Sequence, residues 1–398
     1  MSSVTTKRLA RFPFEFDSQL YRRVIAEANV VIHCHHYNAR LQSVIEDTKQ
    51  IDGKTIFSGA AEEVFADYIG HMIQNESSDA EKWRIALDLY TQLGYGLLDI
   101  SQLEEGVITA SESHFVEGWS AGFHEVKRPV CSFTEGFLQG AYYAITGRAV
   151  YVREEACMKM DADVCRFVIV KSRTSTIQPN TKINQTVTFK ADSEFIKSPH
   201  VDESAIIDAI VAMPFYGNDE GLIPAFNVYL ANMPSDFYSL VCMRFLEAMS
   251  ARNLFNTAKR LLIFAGEVCA LNTLRGILTS PEWASLIAPM VKDETDSLHG
   301  LVAVTNALGW GNWHVRHLVA GESLEMESLS GYEALGYLSY RGSAEQAQCF
   351  MFTGASAGMM ELLYREGTVN ERIGTFYAEE HYCMCTNHAS CTFVVEAL

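Results

Sequence analysis

Glu154, Cys157 and Cys165 stand in an E-x2-C-x7-C spacing, with Cys131 upstream. The same order returns near the C-terminus as Cys349, Glu380, Cys383 and Cys391. Three thiolates and one carboxylate form a soft, sulfur-rich set that favours zinc over magnesium or calcium. A closed four-ligand set of this kind is usually structural, because it leaves no position for a substrate. Buried free cysteines are the plain alternative for either set alone, and the repetition weighs against it. Cys385, His381 and His388 crowd the second set, and any of them could replace a ligand there. Glu155 and Glu379 are neighbours at the wrong spacing and read as solvated carboxylates.

The elements that must position these residues follow from pattern. Arg148 to Glu154 reads as a strand, Met158 to Asp163 as a turn, and Val164 to Val170 as a buried strand. Cys131 must then reach the site from the start of the preceding helix, predicted over Ser132 to Thr146. The wider chain repeats this order. Leu93-Gly94-Tyr95-Gly96 echoes Leu308-Gly309-Trp310-Gly311, Asn29-Val30 echoes Asn227-Val228, and Gly136 and Gly140 match Gly354 and Gly358. In the second copy the extra residues fall near Tyr364 to Arg372.

In each copy two helices open the unit: Ser18 to Asp47 and Ser58 to Gln74, then Ser235 to Asn253 and Thr257 to Leu278. A third helix follows, Ala80 to Leu93 or Glu294 to Leu308. A β-prone region comes next, Gly96 to Ser111 or Gly311 to Leu329, then a small-residue helix and the strand pair. Helices followed by strands predict an α+β fold, two duplicated domains each with a mainly antiparallel sheet. The expected division is 1–171, a linker over 172–203 and 204–398, with Thr186 to Phe189 as an edge strand in the linker. Gly136 and Gly140 are expected to let their helix lie close against the sheet, which would offset a helix-propensity cost of about 1 kcal/mol each.

The formal charge of -18 argues against nucleic acid and against an anionic membrane surface. No apolar run reaches transmembrane length by inspection, and the first residues lack an apolar signal core, so a cytoplasmic protein is expected. The chain has no G-x-G-x-x-G before a helix, no G-x4-G-K-[ST], no H-E-x-x-H and no G-x-S-x-G. His33, Cys34, His35, His36 and Tyr37 cluster in sequence but lack a carboxylate or a distant partner.

Gly136-x3-Gly140, Thr146-Gly147-Arg148, Val152 to Cys157 and Cys165-Arg166-Phe167 together resemble the 4-vinyl reductase domain, also called the hydrocarbon-binding domain. The second copy carries the resemblance through Gly354, Gly358, Glu380, Cys383 and Cys391. That family includes the sensor domains of phenol-responsive bacterial transcription activators. The resemblance implies a mixed fold, often dimeric, that holds a small apolar or aromatic molecule beside a structural zinc. It implies one zinc on Cys131, Glu154, Cys157 and Cys165 and another on Cys349, Glu380, Cys383 and Cys391. In those sensors a His and a Trp bind the ligand hydroxyl. Here Trp119 resembles the Trp-bearing segment in the first copy, with Leu329 to Tyr332 in the corresponding place of the second. His299 resembles the His-bearing segment in the second copy, where the first has Arg84.

Three readings follow. The first is a sensor or carrier for a small hydrophobic or aromatic ligand, signalling through a protein partner, since the activators' ATPase and DNA-binding regions are lacking. The second is a metal- or cofactor-dependent enzyme on a small unsaturated or aromatic substrate, with its open metal position at the second site. The third is a scaffold in which the duplication mimics a dimer. A homodimer of the whole chain stays open.

Overall fold

The computed structural model describes residues 12–123, 125–175, 177, 182 and 194–398. The segment Thr186 to Phe189 lies outside the described residues. Thirteen strands are formed among them: β1 (Phe14–Asp17), β2 (Arg22–Ile25), β3 (Ala28–Cys34), β4 (Gly96–Asp99), β5 (Val107–Ser113), β6 (Val150–Ala156), β7 (Cys165–Ser172), β8 (Ile223–Ala225), β9 (Val228–Pro234), β10 (Trp313–Val319), β11 (Ser323–Ser328), β12 (Phe376–Tyr382) and β13 (Cys391–Ala397). They make two four-stranded sheets of the same order, β4-β5-β7-β6 and β10-β11-β13-β12, and one five-stranded sheet, β1-β2-β3-β9-β8. All pairings are antiparallel, and the fold is α+β.

The five-stranded sheet joins the copies. β3 pairs with β9 so that Ile32 faces Asn232. The amide of Ile32 donates to Leu308 O at 2.9 Å, and that of Asn232 donates to Leu93 O at 2.9 Å. Tyr95 Oη donates to Asn232 O at 2.8 Å, while Trp310 Nε1 donates to Ile32 O at 3.1 Å. Each copy thus lends its hairpin to the Leu-Gly-aromatic-Gly turn of the other. The turns of the two hairpins, Ala26-Glu27 and Phe226-Asn227, have left-handed φ at both positions, the geometry that suits the twist of a two-residue hairpin. They align Ala28 with Val228, two residues away from the Asn29–Asn227 match expected from sequence.

The opening helix expected over Ser18 to Asp47 is overturned over its first half. Residues 22–34 form the β2–β3 hairpin, and the helix starts at His35. A short apolar run such as Val30-Val31-Ile32-His33 fits either element by periodicity. What decides it is pairing with β9, a partner two hundred residues away. The other expected helices are present as Gly53–Met72, Asp79–Gln92, Ser132–Thr146, Ser235–Ser250, Phe255–Cys269, Glu294–Ala307 and Phe350–Tyr364. Asp52, Ser78 and Asp293 cap three of them through their side chains. Three longer helices, His114–Gly122, Tyr332–Arg341 and Glu203–Val211, and two short ones, Pro281–Leu286 and Val369–Arg372, were not foreseen.

Phe255–Leu278 is long and apolar enough to cross a membrane, against the sequence expectation that no such run exists. Here it is a core helix that packs on Phe350–Tyr364, and a π-helical turn, Ala270–Leu274, interrupts its regular bonding. Gly354 and Gly358 make that packing possible: a Cβ on Gly354 would lie 1.9 Å from Ile263 O. In the first copy a Cβ on Gly136 would lie 2.1 Å from Ser58 O, and one on Gly140 2.5 Å from Glu62 O. The glycines therefore admit a neighbouring helix and not the sheet, which corrects the expectation. The reason is geometric, since a β-carbon at the crossing point would collide with main-chain carbonyls.

Gly136→Ala is expected to destabilise the protein by about 1–3 kcal/mol through overpacking. Gly122→Ala, where nothing lies within 4 Å of the added carbon, should stay within about 0.5 kcal/mol of wild type. Urea denaturation of both variants checks this.

Candidate metal centres and ligand sites

Cys131 precedes the helix Ser132–Thr146, Glu154 sits on β6, Cys157 follows that strand and Cys165 opens β7. Cys349, Glu380, Cys383 and Cys391 take the same places around Phe350–Tyr364, β12 and β13. A 3-10 turn joins each strand pair, Met158–Met160 or Met384–Thr386, and closes on a left-handed residue, Asp161 or Asn387. These turns bring the strand ends together. In each set the four ligand atoms lie within 4.8 Å of one another.

The finer geometry repeats as well. Cys131 N donates to Glu154 Oε2 at 2.8 Å, and Cys349 N donates to Glu380 Oε2 at 2.8 Å. The other carboxylate oxygen, Oε1 of Glu154 and of Glu380, is buried without a hydrogen-bond partner. The sulfurs of Cys131 and Cys165 are 3.7 Å apart, those of Cys349 and Cys391 3.6 Å, and those of Cys383 and Cys391 3.9 Å. Tetrahedral zinc–thiolate bonds of about 2.3 Å place sulfurs about 3.8 Å apart. Met158 N points at Cys165 Sγ (3.4 Å) and Met384 N at Cys391 Sγ (3.3 Å), outer contacts of the kind that orient metal ligands.

Electrostatics give the same fit. Burial, with the Cys157 charge beside it, pushes the Glu154 carboxyl up to about 8. Burial likewise raises Glu380 and Cys349 well above their ordinary values. Four acidic groups in a space with little water cannot all ionise alone. A dication inside the set would let them ionise together and would occupy the unpaired carboxylate oxygen. Both cysteine-rich sites could therefore hold a metal ion. Of the alternatives at the second site, His381 and His388 are exposed, the latter against the Tyr382 ring. Cys385 is buried beside the set without joining the four, its N–H 3.4 Å from Cys383 Sγ and its Sγ 3.6 Å from Ala334 O.

The two ligand-binding candidates sit in different copies. Trp119 is buried on His114–Gly122, and its Nε1 donates to Gln42 Oε1 at 2.8 Å. Gln42 in turn donates to Val130 O and Ser132 Oγ, both at 2.8 Å. His299 is buried on Glu294–Ala307, with Nδ1 2.7 Å from Glu203 Oε1 and Nε2 buried without a partner. Arg84, in the corresponding place, is exposed and pairs with Glu81. His114 N bonds Tyr95 O as Tyr332 N bonds Trp310 O. That alignment puts Tyr337, and not the Leu329 to Tyr332 segment, opposite Trp119.

The cluster around His33 forms no common site. His33 lies on a strand, not on a helix shared with Tyr37, and is enclosed by the rings of Tyr37, Tyr238, Trp310 and Tyr332. Its Nε2 is 3.1 Å from Tyr332 Oη, and burial lowers its pKa to about 3, so it stays neutral. Among the described residues it joins no metal-binding group. Sequence reasoning also missed a carboxyl pair, Glu267 and Glu361. They hold the start of β12 through Gly374 N (2.7 Å) and Thr375 N (2.9 Å). No sequence motif announces such a pair.

A duplicated α+β protein with a buried Cys3Glu set in each copy is the class that the fold and these sites define. Within it, residues 107–171 match the V4R domain. No curated protein matches the chain. Among solved structures, the phenol-responsive sensory domain of the transcription activator PoxR with phenol aligns at 17% identity. That alignment covers 39% of this chain and 83% of the sensory domain, with a TM-score of 0.32.

Burial and the neighbouring Glu267 raise Glu361 to about 8. A carboxyl raised in the folded state binds its proton more tightly there. The stability it contributes is complete below the unfolded value and is lost as pH climbs toward 8. Urea midpoints are expected to fall between pH 5 and pH 8, and Glu361→Gln should flatten that slope.

Proposed function

We propose that the chain is a small-ligand binding protein, a sensor or carrier, in which a zinc ion anchors the strand-pair end of each copy. The observation that carries the ligand reading is the unpartnered Nε2 of His299. A buried imidazole nitrogen without a partner costs free energy, and a ligand hydroxyl would supply the missing bond. Glu203 on Nδ1 fixes the ring so that Nε2 is presented. The V4R domain over residues 107–171 and the resemblance of that family to phenol sensors support an aromatic ligand.

The first copy supports a structural role more than a binding one. Its Trp119 N–H is already bonded to Gln42, and a ligand hydroxyl would have to displace that amide. Ligand in the second copy and zinc in both is the arrangement proposed. The repeats are taken as 1–171 and 204–398 with 172–203 between them, in a cytoplasmic protein whose output passes to a protein partner.

When bound, zinc would supply charge that lets the thiols and carboxyl ionise together. Cys131, Glu154, Cys157 and Cys165 would hold one ion, and Cys349, Glu380, Cys383 and Cys391 the other. Elemental analysis is expected to find two zinc ions per chain, one in Cys157→Ala and one in Cys391→Ala. Two in both variants would sink the ligand sets.

Calorimetric titration with phenol is expected to show saturable binding that His299→Phe weakens at least about tenfold, the value of one charge-free buried hydrogen bond and its desolvation. Equal affinity in wild type and variant would remove His299 from the site.

A further inference from the structure

The two copies differ sharply where the glycine-bearing helix, its neighbouring helix and the outer strand meet. In the first copy the space beside β6 is filled, and a cavity of about 410 Å³ on the neighbouring helix opens instead toward Ser235–Ser250, lined in part by Thr55, Glu62, Arg244 and Glu247. Glu135 Oε1 accepts from Glu154 N at 2.7 Å and from Lys54 Nζ at 2.8 Å. Gln139 Oε1 accepts from Val152 N at 3.0 Å, while its amide donates to Glu62, which also pairs with Arg173. Two amides on the outer edge of β6 are thus satisfied by side chains, as an exposed sheet edge requires.

The second copy keeps the frame and removes the filling. Gly354 meets Ile263 O as Gly136 meets Ser58 O. That match puts Thr353 in the place of Glu135, Ala357 in that of Gln139, and Lys259 in that of Lys54. The outcome is a cavity of about 410 Å³ lined in part by Lys259, Arg260, Phe264, Thr353, Ala357 and Tyr377. β12 lies on β13 in the register of β6 on β7, with Ala378 opposite Val395 and Glu380 opposite Phe393. The amides of Ala378 and Glu380 therefore face the cavity where Val152 and Glu154 face Gln139 and Glu135. No side-chain carboxylate pairs with Lys259 or Arg260 among the described residues.

The three acids at the margin are engaged or solvated. Glu267 Oε1 accepts from Gly374 N, Glu380 Oε2 accepts from Cys349 N, and Glu379 is exposed.

We propose that this cavity binds a small organic carboxylate with an aromatic or apolar body. Its carboxylate takes the place that Glu135 fills in the first copy, accepting from Lys259 Nζ and Glu380 N–H. Its body lies against Phe264 and Tyr377, two aromatic side chains that the fold leaves exposed. The space suits a molecule of one ring better than a bare anion.

Benzoate is the probe, titrated into the full chain by calorimetry. One saturable site is expected, weakened at least about tenfold by Lys259→Ala and abolished by Thr353→Glu, which restores the carboxylate that plugs the first copy. Benzamide, of the same shape without the charge, should bind at least about tenfold more weakly than benzoate. Thermal midpoints of both variants should match wild type, because the first copy folds with the same filling. Absence of saturable benzoate binding by wild type overturns the proposal. So does unchanged affinity in Lys259→Ala, or competition by inorganic phosphate at equal affinity, which would make the cavity a generic anion site. Phenol binding at His299 is read separately, so either site can fail alone.

Discussion

The antiparallel pairing of β3 with β9 is the contact on which the rest of the molecule depends. It sets Ile32 against Asn232 and lets each copy bind the turn of the other through main-chain bonds. Gly94 and Gly309 adopt left-handed φ there, where the opposite hairpin's carbonyls approach. An L side chain at either place would be strained and would press on that carbonyl. The two copies therefore cannot separate without exposing strand edges and buried polar main chain. A single chain reproduces what a symmetric pair of chains would build.

This shared frame frees the two copies to differ elsewhere. The metal sets stay nearly identical, down to the carboxylate oxygen held by the first cysteine's amide. The surroundings diverge. Trp119 closes on Gln42 in the first copy, whereas Tyr337 takes its place in the second. Glu135 and Gln139 seal the edge of β6, whereas Thr353 and Ala357 leave β12 open to a cavity. Conservation of the anchors beside divergence of the pockets is what a duplicated scaffold permits, since each copy already supports the other.

Charge explains why the anchors are so alike. A buried cluster of three thiols and a carboxyl is unfavourable as ions and poorly satisfied as neutral acids. A cation would resolve both problems, provided that all four groups stay within bonding reach. Small changes are costly there. In the open cavity a lysine and an arginine reach water, so the second copy could lose Glu135's counterpart without burying an unpaired charge.

Much of this was legible in the sequence. The E-x2-C-x7-C spacing fixed the strand-turn-strand, and its repetition exposed the duplication, because metal ligation demands specific atoms at short range. Seven helices, from Gly53–Met72 to Phe350–Tyr364, were legible from apolar periodicity and caps, which are local, whereas His114–Gly122, Glu203–Val211 and Tyr332–Arg341 were not. Three things were decided only by the tertiary structure. Residues 22–34 became a hairpin because β9 offered them a partner, and pairing overrides a short run's ambiguous period. Gly136 and Gly354 turned out to admit a helix, because only the fold says which backbone passes nearest. Whether Lys54 or Lys259 meets a carboxylate depends on which side chain stands across from it, a contact between residues some eighty to a hundred positions apart that no local pattern encodes.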